Sequence, residues 1–337
     1  MLPKVSVIMP MYNSKAYVKE AIDSLLHQTY TDIEIIAIND GSKDGCADIV
    51  SKIKDDRLRF IDSEENHGFL YTLNWCIELA KGEYIARLDD DDVAFPTRLE
   101  KQVVYMDSHP EIVISGTGAD LIVNGEIVEA GDHPTKNSKQ MKFALPFANY
   151  TFPHSSFIMR KSIIDKYKIR YEKYIQCPDY HMIMVMSQYG EIGRIDEHLI
   201  GYRIHSTQST AVRTQKMKIG EDDANRVEYI DSLNLPNDVK QGLKIGVLRK
   251  IKNTRDFDLF IDSFEAYRDI MNMADDNECV EKVLGSVLKS QKHIWSYLPV
   301  LLKKYNGKRI YTITGRRSIY NCLINNNEDY IESEIYL

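Results

Sequence analysis

Four consecutive aspartates, Asp89-Asp90-Asp91-Asp92, are the most chemically pointed residues of the chain. Four adjacent carboxylates repel one another in a low-dielectric setting, so the cluster costs stability unless water solvates it or a cation binds it. The run follows Glu83-Tyr84-Ile85-Ala86-Arg87-Leu88, in which Tyr84 to Leu88 read as a buried strand. In open α/β sheets ligands bind beyond the carboxyl ends of the strands. Carboxylates at that spot suit a divalent cation with oxygen ligands, shared with a phosphate-bearing substrate. A solvated acidic turn explains the same residues equally well from this stretch alone.

Two other polar sites arrive at the same kind of position. Val5 to Met9 form an apolar run of strand length, closed by Pro10 and followed by Met11, Tyr12, Asn13 and Ser14. Ile33 to Ile38 make a nearly continuous apolar strand that ends in Asn39-Asp40-Gly41-Ser42. Continuous apolar runs suit a sheet covered on both faces.

The elements that must carry these residues follow from spacing. Val18, Ala21, Ile22, Leu25 and Leu26 recur at helical spacing, with Ser14 as a candidate cap. A helix through Ile53 follows Gly41, capped by Ser42 or Asp44. Leu58 to Ile61 are a short strand. Leu70, Leu73, Ile77 and Ala80 mark a further helix, with Gly82 as its candidate C-cap. The pattern is β-α-β-α-β-α-β, the plan of a mostly parallel nucleotide-binding sheet. Beyond it, Leu99, Val103 and Met106 mark a helix. Ile112 to Ser115 and a hairpin at Leu121 to Val128, turning on Asn124-Gly125, are strands. Residues 131–153 read as an irregular, substrate-facing loop. Phe157 to Met159 and Leu199 to His205 are strands, and a helix runs from about Asp179 to Met186. After about residue 212 Gly and Pro become sparse, and helices are expected at 213–232, 237–252, 256–274 and 277–291. The expected domains are therefore 1–211, divided into a nucleotide half 1–110 and an acceptor half 111–211, and a helical region 212–337.

Composition narrows the function classes. The 337 residues allow one large domain or two ordinary ones. A net charge of −7 argues against a wholly basic nucleic-acid binder. The five cysteines lie far apart without C-x-x-C spacing, which argues against zinc or a disulfide framework and fits a reducing cytoplasm. No apolar run reaches membrane-spanning length and no signal peptide is read at the start, so a cytoplasmic location is expected.

Taken in order, Val5 to Asn13, Ser24-Leu25-Leu26-His27-Gln28-Thr29-Tyr30, Asn39-Asp40-Gly41-Ser42 and Asp89 to Asp92 closely resemble the family 2 glycosyltransferases of the GT-A fold. Ala86 to Asp92, with Pro96, Arg98 and Leu99, resembles the branch that builds bacterial surface polysaccharides. The match covers about residues 1–210. The resemblance implies a nucleotide-diphosphate sugar, most often a UDP-sugar, lying across the strand ends. Pro10, Tyr12 and Asn13 would meet the nucleotide, and Asp40 would accept the ring N–H of the base. Asp90 or Asp89 would hold the ribose. Asp91 would ligate Mn²⁺ or Mg²⁺, with His205 as a further metal or phosphate contact. Asp92 would cap the next helix. As a Lewis acid the metal would neutralise charge on the departing diphosphate.

Inverting transfer needs a carboxylate that takes a proton from the acceptor hydroxyl. Asp179 in Cys177-Pro178-Asp179-Tyr180 matches that position, although Pro178 replaces the family's usual acidic or polar neighbour. Asp179 also reads as a first-turn acid favoured by the helix dipole. His154 lies on the expected acceptor side, as a contact or as a structural histidine. Leu73 stands where many members carry Arg, which puts a phosphate contact from that helix in doubt.

From Lys289 to Arg317 there are eight Lys or Arg and no Asp or Glu, around Trp295 and Tyr297. That pattern suits either a peripheral membrane contact for a lipid-linked acceptor or a packed helix with a basic face. A dimerising helical domain is a third option. The processive synthases carry membrane helices and Gln-x-x-Arg-Trp; neither is present, which implies one sugar per encounter. Nucleotidyltransferases and NAD-dependent dehydrogenases need glycine-rich loops after the first strand, and Pro10 to Asn13 is not one. The rival from another class is a non-catalytic nucleotide-sugar-binding or scaffold protein of an assembly complex.

Overall fold

The structure is a computed structural model that describes residues 2–131, 135–149, 151–206, 208 and 215–291. The first part of the chain alternates strand and helix as its apolar pattern demands: β1 (Val5–Met11), α1 (Val18–Leu26), β2 (Ile33–Asp40), α2 (Cys46–Val50), β3 (Leu58–Ser63), α3 (Phe69–Leu79) and β4 (Tyr84–Arg87). β1, β2, β3 and β4 pair in parallel. β1 and β4 are buried along their whole length, as strands covered on both faces must be.

The second half of the sheet is mixed. β5 (Val93–Ala94), α4 (Arg98–Ser108), β6 (Ile112–Val123) and β7 (Glu126–Val128) come first. α5 (Ser138–Ala144), a short 3₁₀ turn (His154–Ser156), β8 (Ile158–Arg160), α6 (Lys161–Tyr167), α7 (Pro178–Met186) and β9 (Glu191–Ile204) follow. The nine strands run in the order β3-β2-β1-β4-β8-β6-β9-β5, with β7 on β6. β8 pairs antiparallel with β4, and β9 pairs parallel with β6. The carboxyl ends of β1, β2 and β4 therefore share one edge, and β9 ends near the same aspartates.

Several elements depart from expectation. Ile112 to Val123 is one strand, because Ser115, Thr117 and the small residues between the apolar blocks keep pairing with β9, with register shifts on either side of Gly118. The turn after it holds Asn124 and Gly125 at φ 52° and 87°, both in the left-handed region that a two-residue hairpin needs. The expected Ser14 side-chain cap is absent: the Ser14 carbonyl accepts from the Tyr17 and Val18 amides, both at 2.9 Å. α2 stops at Val50 rather than Ile53. Gly82 is not a left-handed C-cap; a Cβ there would stand 2.5 Å from the Ser6 nitrogen, so close approach excludes a side chain.

Packing divides the chain into two compact units. The first holds the residues up to Ser138 and Thr151–Asp222; the second holds Lys139–Tyr150 and the residues from Asp223 onward. This differs from the expected single boundary after 211. Residues 138–144 are helical, not irregular, and Phe143 and Phe147 bury against Phe264 and Tyr267. The second unit also contains α8 from Asp223 on (α8 spans Gln215–Ser232), α9 (Asn237–Val247), α10 (Thr254–Ile270) and α11 (Asn277–Lys289). These four helices match the expected helical stretches closely. Its core includes Leu243, Phe260, Val283 and Leu284. Residues 292–317 of the basic segment, with Trp295, lie outside the described residues.

Candidate active site

The aspartate run leaves the end of β4 and is shared out among separate partners. Asp89 takes both terminal nitrogens of Arg87, one at 2.8 Å. Asp90 Oδ2 accepts the Tyr12 amide at 2.9 Å. Asp91 Oδ2 lies 2.9 Å from His205 Nε2. Asp92 is 1% exposed; it accepts the Arg203 amide at 2.9 Å and hydrogen-bonds the Ser155 hydroxyl. Asp92 thus does not cap α4, whose N-cap is Thr97. It joins β9 and the 3₁₀ turn to the end of β4.

Ser155 also bonds Asp89 Oδ2 at 2.7 Å. One hydroxyl carries one hydrogen and cannot serve two carboxylates. A neutral Asp92 donating to Ser155, which in turn donates to Asp89, completes the network. The electrostatics agree: burial, then the Asp91 and Asp89 charges, push Asp92 well above the usual carboxylate range. Burial and the neighbouring Asp91 push Asp90 up to about 8. Asp91 is raised too, by burial and then by Asp89, with His205 opposing. Three carboxyls raised together mark a site where further negative charge is disfavoured and a bound cation would be welcome.

Two buried arginines lie beneath it. Burial would lower the Arg87 guanidinium, but the Asp89 charge and hydrogen bond, with Tyr171 and Asp92, together raise it. Arg98 donates to the Arg87 carbonyl at 2.6 Å; burial and then the Arg87 charge bring it down to about 9. Arg203 adds a third cation from β9. Its Nε donates to the Asp91 carbonyl at 2.7 Å, its head reaches Glu20 at 2.7 Å, and it lies over the Tyr17 ring at 4.8 Å. Tyr17 also packs on His205, ring centres 4.8 Å apart.

Asp89, Asp91 and Asp92 can each turn one oxygen to a common point, these atoms lying within 4.8 Å of one another. Carboxylate oxygens with an imidazole beside them are a donor set that fits a divalent cation, and the imidazole suits Mn²⁺ better than Mg²⁺. Asp90 is outside that group and faces the β1 loop instead.

The two nucleotide-side loops are tied to one another. Asn13, at φ 53°, donates its amide to Ser42 Oγ at 2.9 Å and accepts the Lys43 amide at 3.0 Å. Tyr12 is 55% exposed, an aromatic face open at the mouth of the site, while Pro10 is buried within β1. Asp40 is buried, and its two oxygens accept the His67 amide at 2.7 Å and the Gly68 amide at 3.0 Å. It thereby binds the start of α3. Gly41 at φ +70° is required here, since a Cβ would stand 2.6 Å from the Asn66 nitrogen.

Comparison with known proteins then decides the family. Residues 6–168 match the family model described as glycosyl transferase family 2. An uncharacterized glycosyltransferase of Haemophilus influenzae is 33% identical over 225 residues, covering 62% of this chain and 68% of that protein. The chain belongs to glycosyltransferase family 2. The O-antigen biosynthesis glycosyltransferase WbnJ of Escherichia coli is 34% identical over 222 residues, 63% of this chain and 84% of that one. Among solved structures, S. aureus TarS 1-349 in complex with UDP-GlcNAc superposes with a TM-score of 0.59 at 18% identity, over 90% of this chain and 92% of that chain. The mannosyltransferase PcManGT of Pyrobaculum calidifontis, in complex with GDP-Man and Mn²⁺, gives 0.52 at 14% identity, over 97% and 89%. At such identities the likeness shows the fold, which is GT-A.

Asp179 sits half-buried in the first turn of α7, with Pro178 as first helical residue after the N-cap Cys177. Its carboxylate acts on the buried Tyr171 hydroxyl, which also feels Arg87 and Asp89. The charges of Asp179 and Asp89 are thus both felt by one buried tyrosine. His154 Nε2 bonds that same hydroxyl at 2.8 Å and packs on Phe157 and Phe69. What the structure shows for His154 is a structural seat. Leu73 is fully buried in the face of α3 turned to the sheet.

Ser155, Arg87 and Arg203 were not singled out by sequence reasoning. Arg87 carried a signal, a lone charge inside an apolar strand. Arg203 stands two residues before the chosen His205. Ser155 carried none.

Among the described residues no helix is long and apolar enough to cross a membrane.

Proposed function

We propose that this glycosyltransferase moves one sugar per encounter from a nucleotide-diphosphate sugar, a UDP-sugar in the first instance, to a saccharide or lipid-linked saccharide of a surface polysaccharide. The transfer inverts the anomeric centre and depends on Mn²⁺ or Mg²⁺. The observation that carries the reading is the convergence of Asp89, Asp91 and Asp92 with His205 against Asp91, beside the Tyr12 and Asp40 loops. The role of the relative WbnJ in O-antigen biosynthesis and the neighbours' complexes with UDP-GlcNAc and GDP-Man support it.

Each residue has a stated task. The open Tyr12 ring stacks on the base. Asp40 keeps lone pairs beyond the two it gives to His67 and Gly68, and accepts the base N–H, which selects a base with a donor there. Asp90, with its amide partner at Tyr12, or Asp89 reaches the ribose. Asp91 with His205 holds the metal. A bound metal neutralises the charge of the leaving diphosphate. Asp179 takes the proton of the acceptor hydroxyl as that oxygen attacks the anomeric carbon. The expected cytoplasmic setting, with contact to the inner membrane face through 289–317, belongs to this proposal, as does a homodimer.

A panel of UDP-glucose, UDP-galactose, UDP-N-acetylglucosamine and GDP-mannose tests the reading by nucleotide release with Mn²⁺ and with EDTA. Metal-dependent release from one donor is expected. Release from none, with UDP still binding, would return the chain to the non-catalytic nucleotide-sugar-binding alternative.

A further inference from the structure

The start of α7 is held by carboxylates from a distant helix. Gln176 donates its amide to Glu221 Oε2 at 2.7 Å. Next to it, Asp222 acts on the buried Cys177 thiol: burial, then the Asp222 charge, pushes that thiol up. Glu221 and Asp222 are consecutive residues of α8 and belong to the first compact unit, as do residues 174–186. Glu221 thus grips Gln176, the Asp222 charge stands beside Cys177, and Asp179 comes two positions later.

The proline explains why such a grip is needed. Pro178 has no amide, so the first helical residue cannot itself be held through one, and its ring fixes φ. The direction in which α7 sets out is then governed by Gln176 and Cys177. Within the segment the Cys177 amide donates to the Tyr174 carbonyl at 3.3 Å, and the Cys177 carbonyl accepts the His181 amide at 3.1 Å. A charge-assisted bond from an amide to a carboxylate is about twice as strong as a neutral one.

We propose that Glu221, seconded by Asp222, is a positioning residue for the catalytic carboxylate: it fixes Gln176–Cys177 and so sets where Asp179 meets the acceptor oxygen. The inference rests on Asp179 being the base. Glu221 touches neither donor nor metal in this scheme, so its loss is felt in turnover and not in donor binding. Misplacing a reacting group by about 1 Å costs up to about a hundredfold in rate.

The test uses the full chain and the panel donor that wild type hydrolyses fastest. Turnover, donor KM, UDP–Mn²⁺ affinity and melting temperature are measured for Glu221→Ala, Glu221→Gln, Asp222→Asn and Asp179→Asn. Glu221→Ala is expected to lower kcat by about tenfold or more with donor KM and UDP affinity unchanged. Glu221→Gln keeps an acceptor oxygen and is expected to recover most of the loss. Should Glu221→Ala not fold, Asp222→Asn carries the same comparison. Wild-type kcat in Glu221→Ala, or equal losses of kcat and UDP affinity, would overturn the proposal. An inactive Asp179→Asn beside an unaffected Glu221→Ala removes this proposal alone; a fully active Asp179→Asn removes the base assignment and this proposal with it.

Discussion

His205 Nε2 and Asp91 Oδ2 meet at 2.9 Å although the residues are 114 positions apart. β9 brings them together. Its Arg203 amide is fixed by Asp92, and its Arg203 head is fixed by Glu20 and the Asp91 carbonyl. The imidazole is thus delivered by a strand already bonded to the aspartate run, not by a free loop.

Arg203→Ala removes that delivery. Metal-dependent UDP affinity is expected to fall by roughly 10- to 100-fold, the usual effect of losing a group that orients a ligand. Arg203→Lys is expected to recover little, since it lacks the planar fork. Calorimetry with UDP and Mn²⁺ reads both variants.

Asp40→Ala leaves the His67 and Gly68 amides without their acceptor. A loss of about 1–2 kcal/mol of stability is expected from the undone start of α3, together with weaker UDP binding. Thermal unfolding reads the first and calorimetry the second. A variant that loses stability but keeps wild-type UDP affinity would limit Asp40 to its role in the fold.

Arg87→Met strips the buried counter-charge from Asp89. Removing one partner of a buried ion pair costs about 3–5 kcal/mol, so this variant is expected to be the least stable of the set in urea unfolding.

The raised carboxyls give the metal-free protein a definite pH dependence. Asp90, Asp91 and Asp92 all hold protons in the folded state above the pH at which an unfolded aspartate releases them. Between the ordinary aspartate value and about 8 for Asp90, the folded chain binds more protons than the unfolded one. Their contribution to stability is therefore present at low pH and lost as pH rises through that window. Melting in EDTA is expected to show this loss, and Mn²⁺ to raise the melting temperature more at pH 8 than at pH 5. Equal Mn²⁺ shifts at both would contradict it.

Much of the fold was legible because β1, β2 and β4 are buried on both faces and so are written as unbroken apolar runs. The four C-terminal helices were legible from spacing. The long strand β6 was split in the reading because Gly116 and Gly118 interrupt its apolar pattern, whereas the ladder with β9 runs through them. α5 was read as loop because its apolar residues, Met141 and Phe143 among them, occupy only a seven-residue helix. At the site, Asp91 and His205 were legible as ligand types, but their meeting depends on β9 pairing. Ser155 was not legible, because a serine beside two carboxylates across the fold leaves no local mark. Asp92 was misread as a cap because the helix that follows it begins only at Arg98.

Asp179→Asn tests the base. Loss of a general base lowers turnover by about 10²- to 10⁴-fold, and UDP–Mn²⁺ affinity is expected to stay within about twofold, since the amide keeps the shape and loses only the proton acceptor.

Calorimetric titration of UDP, with Mn²⁺ and with EDTA, into wild type and Asp91→Ala tests the central claim most directly. Wild type is expected to bind UDP tightly only with Mn²⁺, and Asp91→Ala to lose that metal-dependent gain while remaining folded. Equal UDP affinity with and without Mn²⁺ in wild type, or an unchanged metal-dependent gain in Asp91→Ala, would contradict the account.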